Sequence, residues 1–397
     1  MPGFELFGDA ERKELNDVLD NGVLMRYGFD GMRNGHWKAR ELEQEIEKRF
    51  SIKHAQLTSS GTTALNTALA VMGVGAGDEV IMPCFTFVAS FESIISSGAS
   101  PVLVDIDDTL TLDPKAVEAA ITPRTKVVMP VHMCGSMADL DALKKICKKH
   151  NLLLLEDACQ AFGGTYKGKM LGTIGDAGSF SFDFVKTITC GEGGAIITNN
   201  DAYALSADQY TDHGHDHIGS DRGAESHDYM GTNYRISELH AAVGLGQIKK
   251  MDDFIRIQRR NHGILMNALS TIPEVSFRRI PDPDGNSCGF LSFFMPTAEL
   301  SAKVVDAFKE HGIDGYWNYF DNNWHYIRKW DHLKDIKSLF PLSKSIEAAL
   351  QNAKDKKFQQ SDDLISRNIS CLIKLSWTEE EVRDRGARMV QAIKSIL

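Results

Sequence analysis

Four short segments bring together residues able to do chemistry. Lys186 closes the run Gly178-Ser179-Phe180-Ser181-Phe182-Asp183-Phe184-Val185-Lys186 and is followed by Thr187 to Gly194, TITCGEGG. A lysine between an apolar run and a glycine-rich turn is unusual, because lysines prefer the surface. Held in a cleft, such a lysine can lose its proton and serve as nucleophile or base. The second segment, Leu155-Glu156-Asp157-Ala158-Cys159-Gln160-Ala161, sets two acids at the end of a leucine run. A carboxylate buried there is costly unless paired, and Asp157 is suited to face a protonated ring nitrogen. The third, Ser59-Ser60-Gly61-Thr62-Thr63-Ala64-Leu65, opens an apolar helix with small hydroxyl residues. Free backbone N–H groups at such a helix start suit an anion such as phosphate. The fourth, Gly231-Thr232-Asn233-Tyr234-Arg235-Ile236-Ser237-Glu238, offers polar donors before another long helical pattern.

These groups must be positioned by the elements around them. From residue 54 to 200 seven apolar runs read as buried strands: 54–57, 79–83, 101–105, 126–131, 152–156, 178–182 and 194–198. Helical patterns lie between several of them, at Thr62 to Met72, Phe87 to Ser96, Pro114 to Ala120 and Leu140 to His150. Strands alternating with helices predict a mostly parallel sheet covered on both faces, and ligands of such sheets sit beyond the carboxyl ends of the strands. ERKELNDVLDNG and KARELEQEIEKRF predict two amphipathic helices before the first strand. One long helix is expected from Ile236 to about Ser270, with a glycine dent at Gly244 and Gly246. The remainder, with its strand FLSFFMP and the aromatic stretch GYWNYFDNNWHYIRKW, reads as a smaller α+β domain. The expected division is a large domain over 1–250 and a small one over 251–397.

Composition sets the outer limits. The chain has 397 residues, 43% of them hydrophobic and 25% charged, which is the profile of a folded globular protein. A net charge of -10, from 44 basic and 54 acidic residues, argues against nucleic acid as a partner. No apolar run approaches the roughly 20 residues that span a bilayer. The acidic N-terminal stretch lacks the pattern of a secretory signal, so a cytoplasmic location is expected. Seven cysteines at wide spacings, with no CxxC pair, predict neither a disulfide framework nor a zinc site. Most are expected to be buried thiols.

Taken with their order and spacing, the motifs SSGTTAL, MPCFTFVAS, EDACQAFG, GDAGSFSF…K…CGEGG and GTNYRISELHAAVG resemble those of the sugar aminotransferases of the DegT/DnrJ/EryC1/StrS type over nearly the whole chain. The resemblance implies the aspartate-aminotransferase-like fold (fold type I), with a seven-stranded mostly parallel sheet, and pyridoxal 5'-phosphate as cofactor. That cofactor needs a lysine for its Schiff base and an acid on its pyridine nitrogen. The implied roles are Lys186 for the Schiff base and proton transfer, and Asp157 for the ring nitrogen. Gln160 is implied for the ring hydroxyl, Phe87 for ring stacking, and Gly61, Thr62 and Ser181 for the phosphate. Asn233 would reach the phosphate of a neighbouring subunit, which implies a homodimer with shared sites. L-Glutamate is the donor that the family implies. Relatives that dehydrate sugars carry histidine in place of the lysine, and an idle regulatory protein would not need to keep the whole set.

The segments Arg26 to Lys38 and Thr211 to His217, with MPGFELFG at the start, resemble the branch of that family that makes 8-amino-3,8-dideoxy-manno-octulosonate, the 8-amino form of Kdo, a lipopolysaccharide sugar. The acceptor is then a keto or aldehyde sugar acid, with a nucleotide-linked 3- or 4-keto sugar as the alternative. A carboxylate on the acceptor would want cations. Arg26, Arg33, His36 and Lys38 face one acid, Asp30, within their own loop, so these four, with His215 and His217, are the expected substrate residues. No metal is expected among the histidines.

Overall fold

The computed structural model describes residues 2–219 and 222–397. The leading strands are β1 (His54–Thr58), β2 (Glu79–Pro83), β3 (Ser100–Val104), β4 (Thr125–Val128) and β5 (Leu153–Asp157). A short hairpin, β6 (Thr165–Tyr166) with β7 (Lys169–Met170), precedes β8 (Ala177–Ser181) and β9 (Gly194–Thr198). The large sheet has seven strands in the order β1-β9-β8-β5-β4-β2-β3. The β2–β3, β2–β4, β4–β5 and β5–β8 pairs are parallel, while β9 runs against both β8 and β1. This is the seven-stranded, mostly parallel sheet expected from the alternating pattern.

Side-chain alternation shows why both faces must be covered. Along β2, Val80 and Met82 enter one apolar layer and Ile81 the other; along β5, Leu155 and Leu154 divide the same way. Successive strand residues point to opposite faces, so continuous apolar runs require cover on both. The connecting helices supply it: Gly61–Val71, Val88–Ser96, Pro114–Ala120 and Leu140–His150.

A second sheet, β10 (Ser276–Phe277), β11 (Phe290–Phe294), β12 (Tyr316–Trp317) and β13 (Asn368–Leu372), is antiparallel in the order β10-β11-β13-β12. Its core joins Leu291, Phe293, Ile369 and Cys371 to Leu265, Val304 and Met389 of flanking helices. The segment 319–358 departs from the expected division at residue 250. Tyr326, Trp330, Leu350 and Phe358 pack with Val80 and Leu103 of the large sheet, so the chain returns to the large domain before β13.

The long helix expected from Ile236 is two helices, Glu238–Ile248 and Met251–Leu269. Gly244 and Gly246 do not interrupt the first. They let other helices approach: a Cβ at Gly244 would lie 2.7 Å from Leu42 Cδ2, and one at Gly246 2.8 Å from Glu11 Cα. No cysteine among the described residues is in a disulfide, and all seven are free. No helix among those residues is long and apolar enough to cross a membrane.

Candidate active site

The carboxyl ends of β1, β5 and β8 deliver three of the four motifs to one cavity of about 310 Å³. After β1, Ser60 caps the helix Gly61–Val71. Its hydroxyl accepts from Thr63 N at 3.1 Å, and Thr63 Oγ1 accepts from Ser60 N at 2.9 Å. This reciprocal cap pairs Ser60 N and Thr63 N, while the first N–H groups of a helix have no partner within it. Gly61 and Thr62 therefore bring free donors to the cavity wall that they line. Glycine is required at 61: a Cβ there would stand 2.6 Å from Ser181 Cβ. The helix start and the end of β8 thus close together, and Gly61, Thr62 and Ser181 share one stretch of the cavity wall, a donor set suited to an anion.

Asp157 ends β5 and is 3% exposed. Ser90 Oγ donates to its Oδ2 at 2.7 Å and Cys159 N to its Oδ1 at 3.2 Å. Among the described residues no cation forms an ion pair with it. A buried carboxylate supported only by neutral donors calls for a positive partner, and it lines the cavity where one would sit. Gln160 lines the same wall. Its Oε1 accepts from Cys134 N at 3.0 Å, which leaves the NH2 group as its donor. Lys186 faces the cavity from the turn after β8. Its backbone is pinned by Lys186 N donating to Asp183 O at 3.0 Å and Gly3 N donating to Lys186 O at 2.9 Å. Phe87, just before the helix Val88–Ser96, supplies an aromatic wall. A cradle for phosphate, an uncompensated acid, an aromatic face, an amide donor and a lysine fit pyridoxal phosphate. A slightly larger cavity, about 360 Å³, lies at the β3 edge, but its Glu79 is already paired with Arg124.

The neighbouring acid has a different role. Glu156 points away from the cavity, fully buried, and accepts from Gly172 N, Ile174 N and Gly175 N at 2.9, 2.6 and 2.7 Å. His132 Nδ1 accepts from Ala138 N, so its Nε2 carries the proton and donates to Glu156 at 3.0 Å. Burial alone would raise the Glu156 pKa; the His132 bond and the loop amides pull it below the usual value.

Among the cavity residues that sequence reasoning missed are Trp324 and His325, from a distant segment. Thr86 N donates to His325 O and Val88 N to Trp324 O, both at 2.9 Å, so this segment lies along the one that carries Phe87. Asn322 Oδ1 accepts from Trp324 N at 2.9 Å, which fixes the amide oxygen, and sits 2.9 Å from His325 Nδ1. His325 Nδ1 therefore carries a proton. Burial, then the charge of Lys186, pushes the His325 pKa down to about 3, so the ring is neutral and Nε2 is a hydrogen-bond acceptor. The aromatic density of residues 315–330 was the available signal, but nothing local ties that segment to a strand more than 200 residues earlier.

The expected substrate residues are placed elsewhere, and none of the six lines the cavity. Arg26 is buried against Glu43 at 2.6 Å and Gln56 at 3.2 Å. Lys38, 1% exposed, meets Glu14 at 2.7 Å and Asp17 at 2.8 Å. Arg33 is fully buried, donates to the carbonyls of Gly28 and Met25, and lies 3.5 Å from Glu238 and 3.9 Å from the Trp37 ring centre. His215 lies 2.8 Å from Glu225, and His217 bridges Asp208 at 2.6 Å and Asp212 at 3.0 Å. Burial alone would lower the His217 pKa, but its two carboxylates raise it to about 9. Of the six, His36 is the most open, its ring half-buried and 3.8 Å from Asp17. The excess of cations counted within the loop is thus balanced by acids from other elements. Arg26, Arg33, Lys38 and His217 are structural cations of this protomer. Asn233 is exposed, outside the cavity, and accepts from Arg235 N at 3.3 Å.

Arg33→Ala is therefore expected to act on stability. It leaves Glu238 buried without its cation and frees two carbonyls, a loss of about 3–5 kcal/mol. Thermal melting should show it. An unchanged midpoint with a selectively raised Michaelis constant for the acceptor would return Arg33 to the substrate.

Comparison with known proteins matches the model of the DegT/DnrJ/EryC1/StrS aminotransferase family to residues 8–353. The chain is 41% identical over 261 residues to GDP-perosamine synthase of Caulobacter vibrioides, covering 64% of this chain and 68% of the relative. It is 36% identical over 324 residues to 3-amino-5-hydroxybenzoate synthase of Amycolatopsis mediterranei, covering 80% of each. Among solved structures, a 3-amino-5-hydroxybenzoic acid synthase superposes with a TM-score of 0.81 at 31% identity, covering 98% of this chain and 97% of that one. An aminotransferase from Psychrobacter cryohalolentis gives 0.84 at 26% identity over 98% and 97%.

Proposed function

We infer the reaction from one premise: the chain belongs to the DegT/DnrJ/EryC1/StrS aminotransferase family. It is a transaminase that uses pyridoxal phosphate. When bound, that cofactor supplies an electron sink for the carbon that gains or loses the amino group. We propose that Gly61, Thr62 and Ser181 hold its phosphate, Phe87 covers its ring, Gln160 donates to its ring hydroxyl, and Asp157 holds a proton on its ring nitrogen. Lys186 Nζ carries the proton to and from the reacting carbon. The observation that carries this assignment is that Asp157, buried without a cation, and Lys186 line one cavity.

The donor we propose is L-glutamate, and the acceptor the C8 aldehyde of 3,8-dideoxy-8-oxo-manno-octulosonate, giving the 8-amino form of Kdo. Support comes from the two segments that resemble that branch of the family. They lie far apart in sequence but interlock: the Tyr27 and His217 rings stack with centroids 4.0 Å apart, and Tyr27 Oη donates to Asp208 at 2.8 Å. Two unusual segments in mutual contact form one built feature. The acceptor's carboxylate then needs cations other than Arg26, Arg33 and Lys38, because those have internal partners. A second reading, a nucleotide-linked 3- or 4-keto sugar, is favoured by the relatives named GDP-perosamine synthase. Protein loaded with the aminated cofactor, offered each acceptor for a single turnover and read by product mass, separates the two. We expect an increase in mass for the octulosonate only; amination of the nucleotide sugar alone would overturn this substrate and leave the transaminase assignment standing.

Shared sites between two protomers complete the proposal, with Asn233 reaching the partner's phosphate cradle. Asn233→Ala and Lys186→Ala proteins, each inactive alone, should recover up to about half of wild-type activity per mixed dimer, because one site then escapes both lesions. No recovery in tag-verified mixed dimers would place each site within a single chain.

A further inference from the structure

Gln160 is held by a turn that is itself tied down from elsewhere in the chain. The turn Met133–Gly135 follows β4, and Cys134 adopts φ +55° next to Gly135 at φ +71°. A non-glycine residue in the left-handed region persists only where its surroundings fix it. Here the surroundings belong to the small sheet and its loops. Arg278, directly after β10, donates from Nη1 to Met133 O at 2.8 Å and from Nη2 to Thr109 O. Ser287 Oγ donates to Gly135 O at 2.6 Å. From the middle of the turn, Cys134 N donates to Gln160 Oε1.

Arg278 is a costly residue to keep. It is 7% exposed, forms no ion pair among the described residues, and its Nε has no hydrogen-bond partner. Burial lowers its pKa to about 10. An unpaired buried cation opposes folding, so packing alone would be better served by an apolar chain of the same shape. What the planar fork offers instead is two fixed donors, reaching two large-domain loops at once.

We propose that Arg278 is a positioning residue for the cofactor. It fixes the Met133–Gly135 turn and, through Cys134 N, the orientation of the Gln160 amide, so that the seating of the small sheet sets the hydrogen bond offered to the ring hydroxyl. This rests on the reading that Gln160 donates to that hydroxyl, and the test separates the two.

The measurement is the pH midpoint of the visible absorbance of cofactor-loaded protein, together with cofactor dissociation and thermal melting. Gln160→Leu should shift the midpoint. Arg278→Met should shift it in the same direction by less, with Arg278→Lys in between. The double variant should move no further than Gln160→Leu alone, because both changes act through one contact. A shift for Gln160→Leu with none for Arg278→Met, or additive shifts in the double variant, overturns the role of Arg278 and leaves that of Gln160. No shift for Gln160→Leu overturns the ring-hydroxyl reading and the relay with it. Should Arg278→Met fail to fold, Arg278→Lys and Ser287→Ala decide: wild-type midpoints in both sink the proposal.

Discussion

Lys186→Ala protein is expected to fold, bind the cofactor and transfer no nitrogen. The side chain of Lys186 lines the cavity, and its Nζ has no hydrogen bond or ion pair among the described residues, so truncation removes no polar contact. The cradle of Gly61, Thr62 and Ser181, and the acid Asp157, are untouched. What disappears is the only lysine among the described residues of the cavity wall, the group assigned to move a proton at the reacting carbon. General acid–base catalysis alone is worth roughly 10²–10⁴-fold, and the covalent anchor is lost with it. The half-reaction with glutamate, followed by absorbance, should fall by at least roughly 10³-fold, with an unchanged melting point for the cofactor-free protein. Wild-type turnover would remove Lys186 from its assigned role.

Asp157→Asn is expected to keep the architecture and weaken the chemistry. Cys159 N needs an acceptor, which keeps the amide oxygen at the Oδ1 position. The new NH2 group then faces Ser90 Oγ, and that hydroxyl can turn to accept, since Thr86 Oγ1 lies 2.8 Å away as its alternative partner. The local network thus survives with no buried charge. The loss falls on the cofactor: an amide cannot hold a positive ring nitrogen, so charge developing at the reacting carbon is less well stabilised. Removing one such preorganised electrostatic group costs on the order of 10²–10³-fold in rate. Stopped-flow half-reactions with glutamate test this; a rate within about threefold of wild type, under 1 kcal/mol, would sink the role given to Asp157.

Lys186, Asp157 and the helix start at Gly61 were legible because their signals are local. A lysine after an apolar strand, an acid ending another, and a hydroxyl-rich helix start each occupy fewer than ten residues. Their meeting follows from the rule that parallel strands present their carboxyl ends on one edge. His325 gave no such signal. Its place beside Phe87 depends on the backbone pairing of 324–326 with 85–88, and its neutral state on burial that the sequence does not record. The glycine-marked stretch after Ile236 misled for a related reason. Gly244 and Gly246 are there for helix contact, and local pattern does not distinguish close approach from a break.

The sequence by itself determined the seven strands of the large sheet, the helices between them, and the three segments that carry Gly61, Asp157 and Lys186 to one cavity. The strands and helices rest on periodicity and turn chemistry, which act over a few residues, whereas the individual roles of Gly61, Thr62, Phe87, Gln160 and Ser181 are implied by the family resemblance alone. Only the tertiary structure decided the fate of the charges. Arg26, Arg33 and Lys38 formed a cationic loop on paper, yet Glu14, Asp17, Glu43 and Glu238 neutralise them in the fold. Arg278, unremarkable in sequence, stands buried beneath the turn that holds Gln160. A buried charge is governed by whichever partners the fold brings within a few ångströms, and those partners come from any distance along the chain.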